Sequence, residues 1–66
     1  MNISLNGKTH SLADNSSLAS LIDALELTGK RIAVEVNDEL VPRSEHADCQ
    51  LNEGDRVEIV QAIGGG

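Results

Sequence analysis

The sequence predicts an α+β fold: a small mixed sheet of four to five strands with one face covered by a single helix. Three observations predict it. Short runs of alternating apolar and polar residues stand at both ends of the chain, around Ile3 and Leu5 and around Val57 and Ile59. Between them lies one stretch with helical spacing, Leu18, Leu21, Ile22 and Leu25. Turn signals, Asn6-Gly7, Gly29, Asn37-Asp38 and Gly54, separate these segments.

Ile3 and Leu5 share one face of a first strand, with Asn2 and Ser4 on the other. Asn6-Gly7 is a two-residue hairpin signal, because a type I′ turn needs positive φ at both central positions. Lys8 to Leu12 then returns as a second strand. Ala13 to Ser17 is turn-rich and supplies N-cap candidates for the helix. Gly29 is expected to stop that helix at or near C′, and Lys30-Arg31 to complement its C-terminal dipole. Ile32, Val34 and Val36 alternate with Ala33, Glu35 and Asn37 in a half-buried third strand. Asn37 to Glu39 turns the chain into a short segment at Leu40-Val41, which Pro42 confines to an edge or ends. Ser44 to Gln50 is polar and irregular, with room for a single helical turn. Asn52 to Asp55 turns into the last strand, where Val57 and Ile59 point one way and Arg56, Glu58 and Val60 the other. The first and last strands are expected to pair in parallel at the sheet centre.

At 66 residues there is one domain, read as 1–63, followed by a glycine tail, 64–66. With no Phe, Tyr or Trp, aliphatic side chains must supply the core, each contributing roughly 1.5–3 kcal/mol when fully buried. Such a core hardly leaves room for a deep substrate cavity, so a self-contained enzyme is not expected. The single cysteine, Cys49, rules out an internal disulfide. Neither a signal peptide nor a membrane-spanning stretch is legible, and the expectation is a cytoplasmic, soluble protein. A net charge of −6 opposes nucleic-acid binding and favours partners with positively charged grooves. Nothing demands self-association, so a monomer is expected.

The ending Gln61-Ala62-Ile63-Gly64-Gly65-Gly66 follows the last strand without a spacer. Three glycines gain nothing from packing and lose the most entropy on ordering, so this tail is expected to be flexible. A segment without side chains can thread a narrow channel and bring the Gly66 carboxylate against a bound nucleotide. The bland alternative is a frayed end. Val60 and Ile63, where the outer side of the last strand meets the tail, are either ordinary exposed aliphatics or a small apolar docking patch.

The chain resembles the ubiquitin-like β-grasp sulfur carriers, and most closely those of thiamin (thiazole) biosynthesis. The residues carrying the likeness are Asn6-Gly7, Val36-Asn37, Leu40-Val41-Pro42-Arg43, Leu51-Asn52-Glu53-Gly54-Asp55, Val57-Glu58-Ile59-Val60 and Ala62-Ile63-Gly64-Gly65-Gly66. The resemblance implies that a separate adenylating enzyme activates the Gly66 carboxylate with ATP and that persulfide sulfur then makes a thiocarboxylate. A cysteine desulfurase supplies that sulfur indirectly, and a thiazole synthase accepts it. If Val60 and Ile63 are a docking patch, they bind the partner enzyme together with Gly64 and Gly65, which give the tail its reach and clearance. The carrier itself is implied to be no enzyme and to hold no cofactor or metal. Relatives often carry an aromatic residue shortly after Val-Pro-Arg, where this chain has His46, and the ending has three glycines where two are usual. Alternatives within the fold are the small subunit of molybdopterin synthase, a ubiquitin-like modifier joined through Gly66, and a binding module with an inert tail.

The remaining chemistry-bearing residues have simpler readings. Cys49 has Asp48 beside it and lacks the basic neighbour that stabilises a thiolate. His10 and His46 are far apart, match no metal spacing and read as surface residues. Glu53 and Asp55 bracket Gly54 as turn residues, and Arg43 reads as a solvated charge.

Overall fold

Asn6 and Gly7 both adopt positive φ, 50° and 84°, and this left-handed pair folds β1 (Asn2–Leu5) back onto β2 (Lys8–Ser11). The computed structural model describes residues 1–62. After the hairpin come α1 (Leu18–Ala24), β3 (Ile32–Val36), β4 (Glu39–Leu40), a 3₁₀ turn (Arg43–Glu45) and β5 (Arg56–Gln61). The strands form one sheet in the order β2-β1-β5-β3-β4. β1 and β5 run parallel at its centre, and the other neighbours are antiparallel. A second left-handed pair, Asn37 and Asp38, makes the β3–β4 hairpin.

The inward-facing residues of the strands meet one face of α1. Ile3, Val34, Val57 and Ile59 from the sheet and Leu18, Leu21 and Ile22 from the helix are buried together, with Leu51 closing the floor. Leu25 is only half-buried, so the helical stripe narrows at its end. Ser17 caps α1: its Oγ accepts from the Ser20 N–H at 3.1 Å. Two further N–H groups of the first turn, which no helix can satisfy internally, donate to the chain passing beneath them. Leu18 bonds to the Cys49 carbonyl at 2.8 Å and Ala19 to the His46 carbonyl at 3.0 Å.

The helix ends a turn before Gly29. The left-handed residue after its cap is Glu26, at φ 61°. Its N–H donates to Asp23 C=O, and the Leu27 N–H reaches back to Ile22 C=O, the two bonds of a Schellman motif. Leu27 thereby packs against the core, and its burial outweighs the preference for glycine at the turning point. Gly29, at φ 81°, serves the next turn instead, which the Lys30 N–H closes on Leu27 C=O. The last turn of α1 accordingly holds no basic residue, and Lys30-Arg31 lies too far along to complement its dipole. Among the described residues no helix is long and apolar enough to cross a membrane.

Candidate functional site at the end of the last strand

The Asn6-Gly7 turn stops β1 at Leu5, opposite Val57, so β5 outruns its parallel partner by four residues. The Asn6 side chain fills the first vacated position. Its Oδ1 accepts from the Ile59 N–H at 2.9 Å and its Nδ2 donates to the Ile59 carbonyl at 3.3 Å. One carboxamide thus stands in for the missing strand residue. On the other side β5 stays paired with β3 through Ile32↔Gln61, and the Ala62 N–H donates to Arg31 C=O at 2.9 Å. The strand is held on its β3 side up to Ala62, directly before Ile63.

Val60 faces away from α1, opposite Ala33, and is 66% exposed. Together with Arg31, Ile32, Arg43 and Ala62 it lines a groove of about 350 Å³. A second hollow of about 380 Å³ adjoins it, bounded by Ile22, Leu27, Lys30, Ile32, Arg43 and His46. Arg43 is not simply solvated: its guanidinium donates to the Lys30 carbonyl at 2.9 Å. Three of the five Lys and Arg residues, Lys30, Arg31 and Arg43, therefore edge these hollows. The surface around the exit of β5 is locally basic on an acidic molecule. Ile63, Gly64, Gly65 and Gly66, the other predicted site residues, lie outside the described residues.

His46 departs from its surface reading. The 3₁₀ turn folds it under α1, where it is 9% exposed and its Nε2–H donates to the Val41 carbonyl at 3.0 Å. A carbonyl only accepts, so Nε2 carries the proton. Burial pushes the Cys49 thiol up, and the Asp55 and Glu45 carboxylates add to the rise, which keeps it from acting as a ready thiolate. Glu53 and Asp55 are turn residues that accept from the Asn2 and Asn52 N–H groups, both at 2.9 Å. Among the described residues no group of three or more His, Cys, Asp or Glu is placed to hold a metal ion.

Sequence reasoning missed the second role of Asn6, because the turn alone accounted for an Asn before Gly. It also passed over Leu40, which is 68% exposed although apolar. The alternation of β3 with its hairpin partner was the available signal, since it puts Leu40 opposite the outward-facing Glu35.

The model described as the ThiS family matches residues 3–66. The chain is 36% identical over 66 residues to the thiazole synthase of Paramagnetospirillum magneticum, but spans only a fifth of that relative's length. It is 33% identical to an uncharacterized protein, ycf40, of Porphyra purpurea, with all of this chain and 93% of that protein covered. The crystal structure of a thiamine biosynthesis protein (ThiS) from Geobacter metallireducens superposes with a TM-score of 0.84 at 30% identity, covering all of both chains. A mixed five-stranded sheet under one helix, a family match from the first strand through the last glycine and a full-length structural counterpart agree: the chain belongs to the ThiS family, the ubiquitin-like β-grasp sulfur carriers.

Proposed function

We propose that this chain carries sulfur for thiazole formation as a thiocarboxylate on Gly66. The observation that carries the reading is the family match, which runs through the glycine ending. A carboxylate is a poor acyl donor because its leaving group would be oxide. In the proposed route a Gly66 carboxylate oxygen attacks the α-phosphorus of ATP on a separate adenylating enzyme, and pyrophosphate leaves. The terminal sulfur of a protein persulfide, charged by a cysteine desulfurase, then attacks the acyl-adenylate carbon, and AMP leaves. Cleavage of the S–S bond by a second thiol leaves the thiocarboxylate, which a thiazole synthase consumes. Beyond the reacting carboxylate itself the carrier is assigned no catalytic base, nucleophile or metal; it is a cosubstrate that positions one group on a separate body. The raised thiol of Cys49 and the turn roles of Glu53 and Asp55 support that reading. Similarity to thiazole synthases favours the thiazole pathway over molybdopterin synthesis.

Incubation with the cognate adenylating enzyme, ATP and a persulfide donor tests this by intact mass. The expected product gains the mass of one sulfur less one oxygen, located on Gly66 by fragmentation. An unchanged mass, or conjugates to larger proteins, would sink the proposal. Loss of Gly66 is expected to leave cells requiring thiazole.

A further inference from the structure

The backbone of Ile59 depends on one side chain. Asn37 N–H bonds to Arg56 C=O and Ala62 N–H to Arg31 C=O, so by antiparallel alternation Val34↔Ile59 is a non-hydrogen-bonded pair of the β3–β5 ladder. The N–H and C=O of Ile59 therefore point away from β3, toward the side that β1 has left at Leu5. Among the described residues the Asn6 carboxamide is the partner of both groups, accepting from the N–H at 2.9 Å and donating to the C=O at 3.3 Å. Val60, Gln61 and Ala62, the approach to Ile63 and the glycine ending, follow directly.

The same carboxamide is chemically exposed to loss. Of the five asparagines, Asn6 alone precedes a glycine; Asn2, Asn15, Asn37 and Asn52 each precede a residue whose side chain crowds its own amide nitrogen. Asn6 and Gly7 are both exposed, and the space that a Cβ on Gly7 would occupy is empty. The Gly7 N–H donates to no described residue. Once hydroxide takes that proton, the Gly7 nitrogen pair can attack Asn6 Cγ and close a cyclic imide. The Cγ–Nδ2 bond breaks, and ammonia leaves with a proton from water, which restores the hydroxide. Water then opens the imide. Cleavage at Cγ leaves aspartate, and cleavage at the main-chain carbonyl leaves isoaspartate, with the chain routed through Cγ. A carboxamide bonded to Ile59 through both its polar atoms cannot swing onto the Gly7 nitrogen, so reaction waits for those two bonds to open. Neither product restores the pairing. Aspartate sets an oxygen without a proton where Nδ2 donated to Ile59 C=O, and isoaspartate lengthens the turn by a methylene.

We propose that Asn6 is a modification site, where water converts the carboxamide to a carboxylate and so frees the end of β5 on its β1 side. Gly66 takes no part, so the outcome is independent of the sulfur-carrier reading. The full chain is held at mildly alkaline pH, one sample folded and one in urea, and followed by intact mass and peptide mapping. In both, an amide is expected to be exchanged for an acid at Asn6 before any other asparagine. The folded sample should react about tenfold more slowly, the factor that two opened hydrogen bonds imply. Equal rates would overturn the protective role of the Ile59 pairing. No conversion of the folded chain after about a hundred half-lives of the unfolded one would overturn the site. Asn6→Asp supplies one product directly. Its Ile59 amide is expected to exchange with solvent about tenfold faster than in the wild type, with a lower urea midpoint. A folded N6D variant with Ile59 exchange unchanged would overturn the release of β5. Should N6D fail to fold, the same exchange measurement on the aged wild type, before and after separation of its converted fraction, decides the point.

Discussion

Replacing Asn6 by glycine keeps a residue at ease with φ 50° but deletes the carboxamide that pairs with Ile59. With two hydrogen bonds lost and the turn retained, the expected cost is about 1–2 kcal/mol, read from urea denaturation. Amide exchange should quicken at Ile59, whose N–H loses its acceptor. Asn6→Ala adds the strain of a Cβ at positive φ and should cost more. Cys49 offers a second measurement at this scale. Its thiol is held neutral by burial and by Asp55 and Glu45, so labelling by a disulfide reagent at mildly alkaline pH should be slower than for an unstructured cysteine. The sign for stability follows. The unfolded chain gives up this proton first as pH rises, so the contribution is intact below the ordinary thiol range and is lost as pH climbs through the folded value. Cys49→Ser should flatten that alkaline decline.

At the scale of elements, α1 and its exit loop show where local pattern suffices and where it does not. The i, i+3, i+4 spacing of Leu18, Leu21 and Ile22 was legible because a helix buries one face, and those three are buried. The exit was not legible. Glycine is the strongest marker of a left-handed turn, yet here Glu26 takes that conformation so that Leu27 can reach the core. Tertiary burial, invisible in a local window, overrode the marker. His46 was misread for the same reason, since only the long-range return of the 3₁₀ turn under α1 buries it. Glu26→Gly relieves the Cβ strain, partly offset by a freer unfolded chain, and should stabilise the domain by about 0.5–1 kcal/mol in urea titrations. A loss of stability there would mean that the Glu26 side chain contributes something the backbone geometry does not reveal.

For the whole molecule, the central parallel pair was readable from the two ends of the chain, because alternating runs at both termini joined by one helix leave few ways to close a small sheet. The site was only half readable. Val60 faces out as its alternation required, while the groove it shares with Arg31 and Arg43 depends on contacts between segments far apart in sequence. Val60→Glu puts a charge on an exposed position and should leave stability within about 0.5 kcal/mol of wild type. Adenylation should nonetheless slow, and unchanged transfer kinetics would dismiss Val60 as a contact. The parallel pairing of β1 with β5, and the ladder from β3 on the other side of β5, carry one more implication. A pull on the chain beyond Ala62, directed along the strand, loads the bonds on both flanks together in shear and does not peel them one by one. An enzyme gripping this end could tug on it hard without unravelling the body behind it.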